Sequence, residues 1–249
     1  MGCDHHRDEG INDIAKEYLA SKGGGCPFYE NPAFLDIFGG AIRPGGLAIT
    51  RRALELCSFK EGDKILDVGC GYGVTVELLN REYGLDASGV DISTTLIEKG
   101  KERYPMLDLS FGDGEMLSYP SLSFDGIFME CVLSLIEKKE EAVHEAYCLL
   151  KKGGKLIISD FYYKGANANE HPGIFPVGEP EQTLSDIGFE ILAREDINKE
   201  LKEFTASIIM HFGSIENFFK SAEDKEYTSP LAGADSRKLR YFLIIAKKI

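Results

Sequence analysis

The sequence predicts an α/β fold built on a doubly wound, seven-stranded and mostly parallel sheet with helices on both faces. From residue 64 onward, short apolar runs typical of buried strands alternate with amphipathic stretches typical of helices. The links between them are short, so we expect parallel strands joined by right-handed helical crossovers. In sheets of this kind ligands bind at the carboxyl ends of the strands.

The individual elements follow in a regular order. Predicted strands cover 64–68, 87–91, 107–111, 124–129, 155–161, 189–196 and 239–246. Predicted helices cover 74–82, 94–104, 137–152, 181–187 and 199–220, and the helix over 137–152 is expected to end at Gly153-Gly154. The stretch from Lys164 to Pro180 is rich in Gly, Asn and Pro and predicts a loop. The region from Ile11 to Ser58 predicts helices interrupted by glycine clusters.

Composition excludes several classes of protein. The 249 residues include 28 Lys+Arg and 41 Asp+Glu, a formal net charge of −13, which disfavours binding to a nucleic-acid backbone or an anionic membrane surface. No stretch reaches the roughly 18 apolar residues of a membrane span, and the polar start does not resemble a secretory signal. Six scattered cysteines without a C-x-x-C pair predict reduced thiols and a cytoplasmic protein.

A glycine-rich turn follows the first predicted strand. Asp67, Gly69, Gly71 and Gly73 form a D-x-G-x-G-x-G pattern. Neither frame supplies the G-x-G-x-x-G of a dinucleotide fingerprint, which opens a helix N-terminus onto a pyrophosphate. The observed pattern lets the backbone approach a ligand closely, while the strand-end carboxylate reaches hydrogen-bond donors such as a cationic amine.

Carboxylates also end the next two predicted strands. Asp91 is placed to accept hydrogen bonds from the two cis hydroxyls of a ribose. Asp113 is placed to accept from an exocyclic amine such as that of adenine, with the Gly114 amide available to a ring nitrogen. Three acidic residues at successive strand ends suit an adenosine that carries an amine and no phosphates.

At this point the sequence resembles the class I S-adenosylmethionine-dependent methyltransferases, and within them the small-molecule group that includes the ubiquinone/menaquinone C-methyltransferases. The matching stretches are 65–73, 89–93, 111–128 and 149–161, with further similarity at 184–191 and 241–248. The resemblance covers about 61–249. It implies one methyltransferase domain over 61–249, with a variable substrate region at about 164–238, and an N-terminal helical lid or extension over 1–60.

The resemblance also implies a cofactor, S-adenosyl-L-methionine, with S-adenosyl-L-homocysteine as product and a small molecule as methyl acceptor. The glycine turn from Asp67 to Gly73 would surround the methionine part. Asp91 would hold the ribose and Ile92 the adenine face. The implied cofactor-binding set also contains Asp113, Gly114 and Glu115 at the adenine edge, Glu130 beside the sulfonium, and Arg43, Gly45 and Gly46 from the lid.

The role of the lid residues stays open between two interpretations. Arg43 and the Gly45-Gly46 amides could reach the methionine carboxylate or an acidic acceptor, or they could form an ordinary helix-entry turn. Methyl transfer needs alignment more than a base. The candidate catalytic residues are Glu130, Tyr162 and His171, and Cys131, Asp160, Tyr163 and His211 are further candidates for the acceptor pocket.

Three alternatives to this function remain. One is a non-catalytic or regulatory protein that binds S-adenosylmethionine, and another is a nicotinamide-dependent oxidoreductase. The third is methylation of a thiol or of arsenic through Cys26, Cys70 and Cys131. The N-terminal cysteines and histidines are suitable ligand types, but the spacing of Cys3, His5, His6 and Cys26 matches no metal-site pattern, so we expect no metal.

Overall fold

A central sheet organises the chain in the computed structural model, which describes residues 28–164, 174–221 and 237–249. The eight strands are β1 (Lys64–Val68), β2 (Asp86–Asp91), β3 (Asp108–Phe111), β4 (Phe124–Glu130), β5 (Leu150–Tyr163), β6 (Phe175–Pro176), β7 (Phe189–Asp196) and β8 (Leu239–Lys248). Their order is β3-β2-β1-β4-β5-β8-β7, and β6 pairs with β5. The α/β, doubly wound prediction is confirmed, and the two-residue β6 adds one strand to the seven predicted.

The pairing is parallel from β3 to β5, while β8 runs antiparallel to both β5 and β7. The described helices are α1 (Pro32–Phe38), α2 (Leu47–Cys57), α3 (Val74–Tyr83), α4 (Thr94–Arg103), α5 (Lys139–Leu149), α6 (Glu179–Ile187), α7 (Asn198–Phe212) and α8 (Ile215–Lys220). Of these, α3, α4 and α5 connect parallel strands, whereas α1 and α2 precede β1. None of these helices combines the length and the apolar character needed to cross a bilayer.

Two apolar layers bury the faces of the sheet. Side chains of α2, α3, α4 and α7 form one buried cluster with β1, β4, β5 and β8. Side chains of α5 and α6 form the second cluster on the opposite face. Because Ile49, Ala53 and Cys57 are buried in the first cluster, α2 is a core helix and not a detached cover. The division at residue 60 stays a prediction.

A third cluster is aromatic and joins the N-terminal described segment to α7 and α8. Phe28 and Phe34, from the N-terminal side, pack against Phe218 of α8, with ring centroids 4.9 and 5.0 Å from it. Ile208 of α7 completes its buried centre. The cluster therefore fixes the N-terminal segment to the insertion between β7 and β8.

Two predicted boundaries were wrong. The helix over 137–152 ends at Leu149, because Leu150 already pairs with Phe124 and begins β5. Gly153 lies inside that strand, where its φ of +80° provides an irregular turn before pairing resumes at Lys155. The helix over 199–220 is two helices, separated at Gly213, whose φ is +77°.

Candidate active site

A cavity of about 610 Å³ opens at the carboxyl ends of β1, β2, β3 and β4. This volume lies in the range of small-molecule sites, and the position is the one expected for a parallel sheet. Its lining comes from the segment before α1 and the turn before α2 (Tyr29, Gly40, Ile42, Arg43), the glycine turn (Val68, Gly69, Cys70, Gly71, Tyr72), the end of β2 (Asp91, Ile92, Ser93, Leu96), the loop after β3 (Gly112, Asp113, Gly114, Glu115) and the end of β4 (Glu130, Cys131, Val132, Leu135, Ile136, Glu137).

The three glycines of the turn have different roles. Gly69 has a φ of +76°, and a Cβ there would lie 2.6 Å from Cγ2 of Val132, so no side chain fits. Gly71 has a φ of +53° and faces open space, which leaves its backbone accessible to a ligand. Gly73 does not line the cavity; it is the N-cap of α3, and a Cβ there would meet Leu109 at 2.8 Å.

Asp91 ties the glycine turn to the end of β2. Its Oδ2 accepts a hydrogen bond from the Gly71 amide at 2.8 Å, and its Oδ1 accepts one from the Ser93 amide at 2.8 Å. Burial raises the pKa of this carboxyl. Each carboxylate oxygen has a second lone pair, so Asp91 can accept two further bonds from a ligand while it holds the turn.

The loop after β3 forms the opposite wall. Asp113 Oδ1 accepts a hydrogen bond from the Glu115 amide at 2.9 Å. Glu115 Oε1 in turn accepts from the amides of Glu137 and Lys138, both at 3.2 Å. Glu115 therefore connects this loop to the segment that follows β4, and both segments line the cavity.

A buried ion pair lies at the end of β4. Arg43 Nη2 donates to Glu130 Oε2 at 2.7 Å, to Thr50 Oγ1 at 2.8 Å and to Thr75 Oγ1 at 3.0 Å. The Thr50 hydroxyl donates to Glu130 at 2.9 Å. Burial raises the pKa of Glu130, opposed by the charge of Arg43. Asp67 is buried close to this pair, and burial followed by the charge of Glu130 raises its pKa as well.

The charged and hydrogen-bonding groups of the cavity can be compared with those of the adenosine-type ligand that the sequence predicts. Among the described lining residues, Asp91, Asp113, Glu115, Glu130 and Glu137 are acidic and Arg43 alone is cationic, which favours a ligand that carries positive charge. Arg43 Nε and the Tyr72 hydroxyl are buried without a hydrogen-bond partner. The lining residues therefore fit a ligand with a cationic centre and at least one acceptor group.

Comparison with known proteins places the chain in a family. Residues 66–158 match the model of a methyltransferase domain. Phosphoethanolamine N-methyltransferase 1 of Arabidopsis thaliana is 33% identical over 221 residues, which are 82% of this chain and 44% of that protein. The chain belongs to the class I S-adenosylmethionine-dependent methyltransferases. It spans less than half the length of the plant methyltransferases it matches.

Solved structures confirm the class I methyltransferase fold. The cyclase SpnF superposes with a TM-score of 0.73 at 21% identity and covers 94% of each chain. Phosphoethanolamine N-methyltransferase 2 of Haemonchus contortus, solved with S-adenosyl-L-methionine, superposes with a TM-score of 0.69 at 21% identity, over 87% of this chain and 56% of that one. At this identity the likeness shows the fold alone.

The structure brings most of the predicted cofactor residues together, but not all. Gly69, Gly71, Asp91, Ile92, Asp113, Gly114, Glu115, Glu130 and Arg43 line the cavity. Asp67, Gly73, Gly45 and Gly46 do not. A Cβ on Gly45 would lie 2.5 Å from Ile49, and Gly46 is the N-cap of α2, so these two glycines form a helix-entry turn.

The structure places some of the predicted catalytic residues in the cavity and others away from it. Tyr162 points to the opposite face of the sheet, where its hydroxyl donates to Asp196 Oδ1 at 2.9 Å. Tyr163 is buried in the core, and His211 is exposed on α7. Glu130 and Cys131 line the cavity. His171, Cys3, His5, His6 and Cys26 lie outside the described residues. Residues 28–164, 174–221 and 237–249 contain no cluster suited to a metal.

Several residues in and around the cavity were not predicted. Tyr29 lines the cavity from a segment without a motif, and Tyr72 lines it from a variable position of the glycine turn. Thr50 and Thr75 bind Arg43 beside the cavity. Ser93 carried a usable signal, because a serine two residues after a strand-end aspartate and directly before a helix is a typical N-cap. Its hydroxyl accepts from the Leu96 amide at 3.1 Å.

Asp160, near the end of β5, gives the fold a pH-dependent stability. Its Oδ2 accepts from the Ser134 amide at 2.9 Å and its Oδ1 from the Phe161 amide at 2.7 Å. Burial raises its pKa from 3.8 to about 6. The folded protein therefore keeps a proton that the unfolded chain releases, and this group's contribution to the free energy of unfolding falls as the pH rises from about 4 to about 6.

We expect the wild type to lose roughly 3 kcal/mol across that range relative to Asp160→Asn, which cannot titrate. Urea denaturation of both proteins on either side of the range measures the difference. If the unfolding free energies of the two proteins differ by the same amount at every pH, the Asp160 carboxyl titrates in the folded protein as it does in the unfolded chain.

Proposed function

We propose that the protein transfers a methyl group from S-adenosylmethionine to a small-molecule acceptor in this cavity. The observation that carries the proposal is the Asp91 carboxylate, which is bonded to the Gly71 amide across a turn whose backbone faces open space. This arrangement offers a ribose-binding carboxylate beside an accessible backbone in an acidic cavity. Family membership and the unpartnered donors of the lining support the same cofactor.

The lining residues divide between the parts of the cofactor. Asp91 would hold the ribose hydroxyls, and Ile92 would pack on the adenine. Asp113 and the Gly114 amide would meet the adenine edge. Gly69 and Gly71 would border the methionine part, where Arg43 Nε is available to an anionic group, the methionine carboxylate or an acidic acceptor. The cofactor supplies the activated methyl group when it is bound.

The residues at the end of β4 would orient the reaction. Glu130 is held by Arg43 through Oε2, while Oε1 receives the longer bond from Thr50 at 3.2 Å. We infer that this carboxylate fixes the acceptor and takes its proton where the acceptor has one to lose. The raised pKa of Glu130 suits that exchange. The cavity would hold the two reactants in line, which accounts for much of the rate enhancement of a displacement.

The acceptor is proposed only as a class. Curated relatives are named for phosphoethanolamine, and one structural neighbour is named as a cyclase. A small molecule agrees with the size of the cavity and the acidic charge of the chain. A cytoplasmic location remains a prediction from the cysteine pattern.

Calorimetry with S-adenosylmethionine, S-adenosylhomocysteine and NAD tests the cofactor. We expect both methionine nucleosides to bind with dissociation constants on the order of micromolar and NAD to give no signal, because the cavity is acidic and offers no pyrophosphate site. Binding of NAD without the nucleosides would establish the oxidoreductase alternative. Binding without methyl transfer to any acceptor in a panel of small amines, phenols, thiols and carbon acids would establish the non-catalytic one.

A further inference from the structure

The end of β4 lies at the methionine end of the proposed binding mode. Phe128 of β4 pairs with Asp67 of β1, so Glu130, two residues later, lies level with Gly69 of the glycine turn. The residues proposed for the adenine and the ribose follow β3 and β2, and the strand order is β3-β2-β1-β4. Glu130 is therefore on the side of the glycine turn away from the adenine, beside the place where an acceptor would meet the methyl group.

The Glu130 carboxylate is buried but keeps capacity to accept hydrogen bonds. Its side chain is 2% exposed and lines the cavity. Oε2 accepts from Arg43 at 2.7 Å and from the Thr50 hydroxyl at 2.9 Å, whereas Oε1 lies 3.2 Å from that same hydroxyl. A hydroxyl carries one proton, so Thr50 cannot satisfy both oxygens. Oε1 therefore has lone pairs for a ligand, and a cationic N–H is the donor that a carboxylate binds most strongly.

The positive charge beside Glu130 is shared between two carboxyl groups. Arg43 Nη2 donates to Glu130 and to two threonine hydroxyls. Burial lowers the pKa of Arg43, but nearby groups that include Glu130 and Asp67 raise it overall. Arg43 Nε is the buried donor of this guanidinium that has no partner. The methionine carboxylate of the cofactor would take this donor, which leaves no free cation among the described lining residues.

We propose that the methyl acceptor is an amine without a phosphate or carboxylate group and that Glu130 holds it through its N–H groups. The inference rests on the proposed function, because it assumes that S-adenosylmethionine occupies the cavity. A phosphate monoester carries nearly two negative charges at neutral pH, and proteins bind it with cationic side chains. The described part of this cavity offers it a buried carboxylate instead, and juxtaposed like charges repel.

This acceptor differs from the one that names the curated relatives. Those proteins are named for phosphoethanolamine, which joins an amine to a phosphate. The described lining of this cavity contains five acidic residues and one cationic residue, and the cationic residue is paired. The amine part of such a molecule is therefore suited to this site, whereas the phosphate part is not.

The transfer to an amine balances with Glu130 as the proton acceptor. The ammonium form of the acceptor gives one proton to the carboxylate and becomes a neutral amine with a free lone pair. That lone pair forms the N–C bond to the methyl group while the C–S bond breaks and its electron pair stays on sulfur. The product is a methylated ammonium ion, and Glu130 then releases its proton to water. The carboxylate that binds the ammonium thus also removes the proton that keeps it from reacting.

Cofactor analogues with different arms at the methyl position measure the charge preference without a known acceptor. In three aza analogues of S-adenosylmethionine, nitrogen replaces sulfur and carries a 2-aminoethyl, a 2-hydroxyethyl or a carboxymethyl arm instead of the methyl group. We expect calorimetry at neutral pH to show that the cationic arm binds about tenfold tighter or more than the anionic arm. The neutral hydroxyethyl arm is the control for size and should fall between them.

A substitution assigns this preference to one carboxylate. Glu130→Gln keeps the shape of the side chain and removes its charge, so the ratio of the two affinities should fall to within about threefold. Glu140→Gln removes an exposed charge from α5, outside the cavity lining, and is the matched control that should keep the wild-type ratio. Urea denaturation shows whether Glu130→Gln is folded, and the wild-type ratio tests the proposal in either case.

The possible results separate the acceptor from the cofactor. Equal binding of the three arms, or tighter binding of the carboxymethyl arm, would overturn the amine acceptor, and so would a wild-type ratio that persists in folded Glu130→Gln. Binding of S-adenosylhomocysteine without any of the three analogues would also overturn it, because no space for an acceptor would adjoin the methyl position. A wild-type protein that binds neither S-adenosylhomocysteine nor the analogues would refute the proposed function instead.

Discussion

Asp91→Ala is expected to weaken the binding of S-adenosylhomocysteine by about 100-fold or more. Two hydrogen bonds from ribose hydroxyls to a carboxylate would be lost, each worth roughly 1.5–3 kcal/mol in favourable cases. The same substitution releases the Gly71 and Ser93 amides, which the carboxylate holds at 2.8 Å. The substitution therefore removes both the hydrogen bonds that hold the glycine turn and the carboxylate that would accept from the ligand.

Calorimetry on three proteins separates these effects. Asp91→Asn keeps one oxygen for a backbone amide and is expected to fall between the wild type and the alanine variant. Asp86→Ala removes an exposed carboxylate from the other end of β2 and should bind as the wild type does. Undiminished affinity in Asp91→Ala would assign the ribose to another part of the cavity.

Breaking the Arg43–Glu130 pair should destabilise the fold more than any other single change proposed for this protein. Both side chains are buried, at 9% and 2% exposure, and lie 2.7 Å apart. Glu130→Leu leaves the Arg43 guanidinium buried without its counter-charge, and Arg43→Met leaves the carboxylate in the same position. We expect each to cost about 3–5 kcal/mol of unfolding free energy.

The double variant is the informative comparison. Arg43→Met with Glu130→Leu removes both charges, so its cost should be well below the sum of the two single costs. Urea denaturation measures all three. The exposed pair of Arg51 and Glu82 serves as the control, since its removal should leave the denaturation midpoint unchanged. If the double variant loses as much unfolding free energy as the two single variants together, the two buried charges do not stabilise each other.

The strand-end carboxylates could be predicted because a parallel sheet brings the carboxyl ends of its strands to one edge. Asp91 and Asp113 line the cavity for this reason. The same reasoning led us to expect Tyr162 at the acceptor pocket, because the predicted strand ends at residue 161 and Tyr162 follows it. Strand β5 continues to Tyr163 and pairs Tyr162 with Arg240, so the alternation of the strand turns Tyr162 to the other face.

Contacts between distant segments left no local signal. Glu30 meets Ser93 across 63 positions, and Arg43 meets Glu130 across 87. The sequence showed an arginine before a glycine pair but not the carboxylate that it would reach. Hydrophobic periodicity reports the face on which a helix packs, so it predicted the core well. It carries no information on which polar groups meet across the edge of the sheet.

The aromatic cluster affects the order in which the protein can fold during its synthesis on the ribosome. Asn31 bonds to a carbonyl 190 positions later, and Phe28 packs on α8. The sheet from β1 to β5 can pair while the chain is still being made, whereas the contacts of Phe28 with α8 and of Asn31 with Ser221 form only after α8 has been synthesised. The N-terminal segment therefore gains its full set of contacts beside the cavity only after most of the chain has been synthesised.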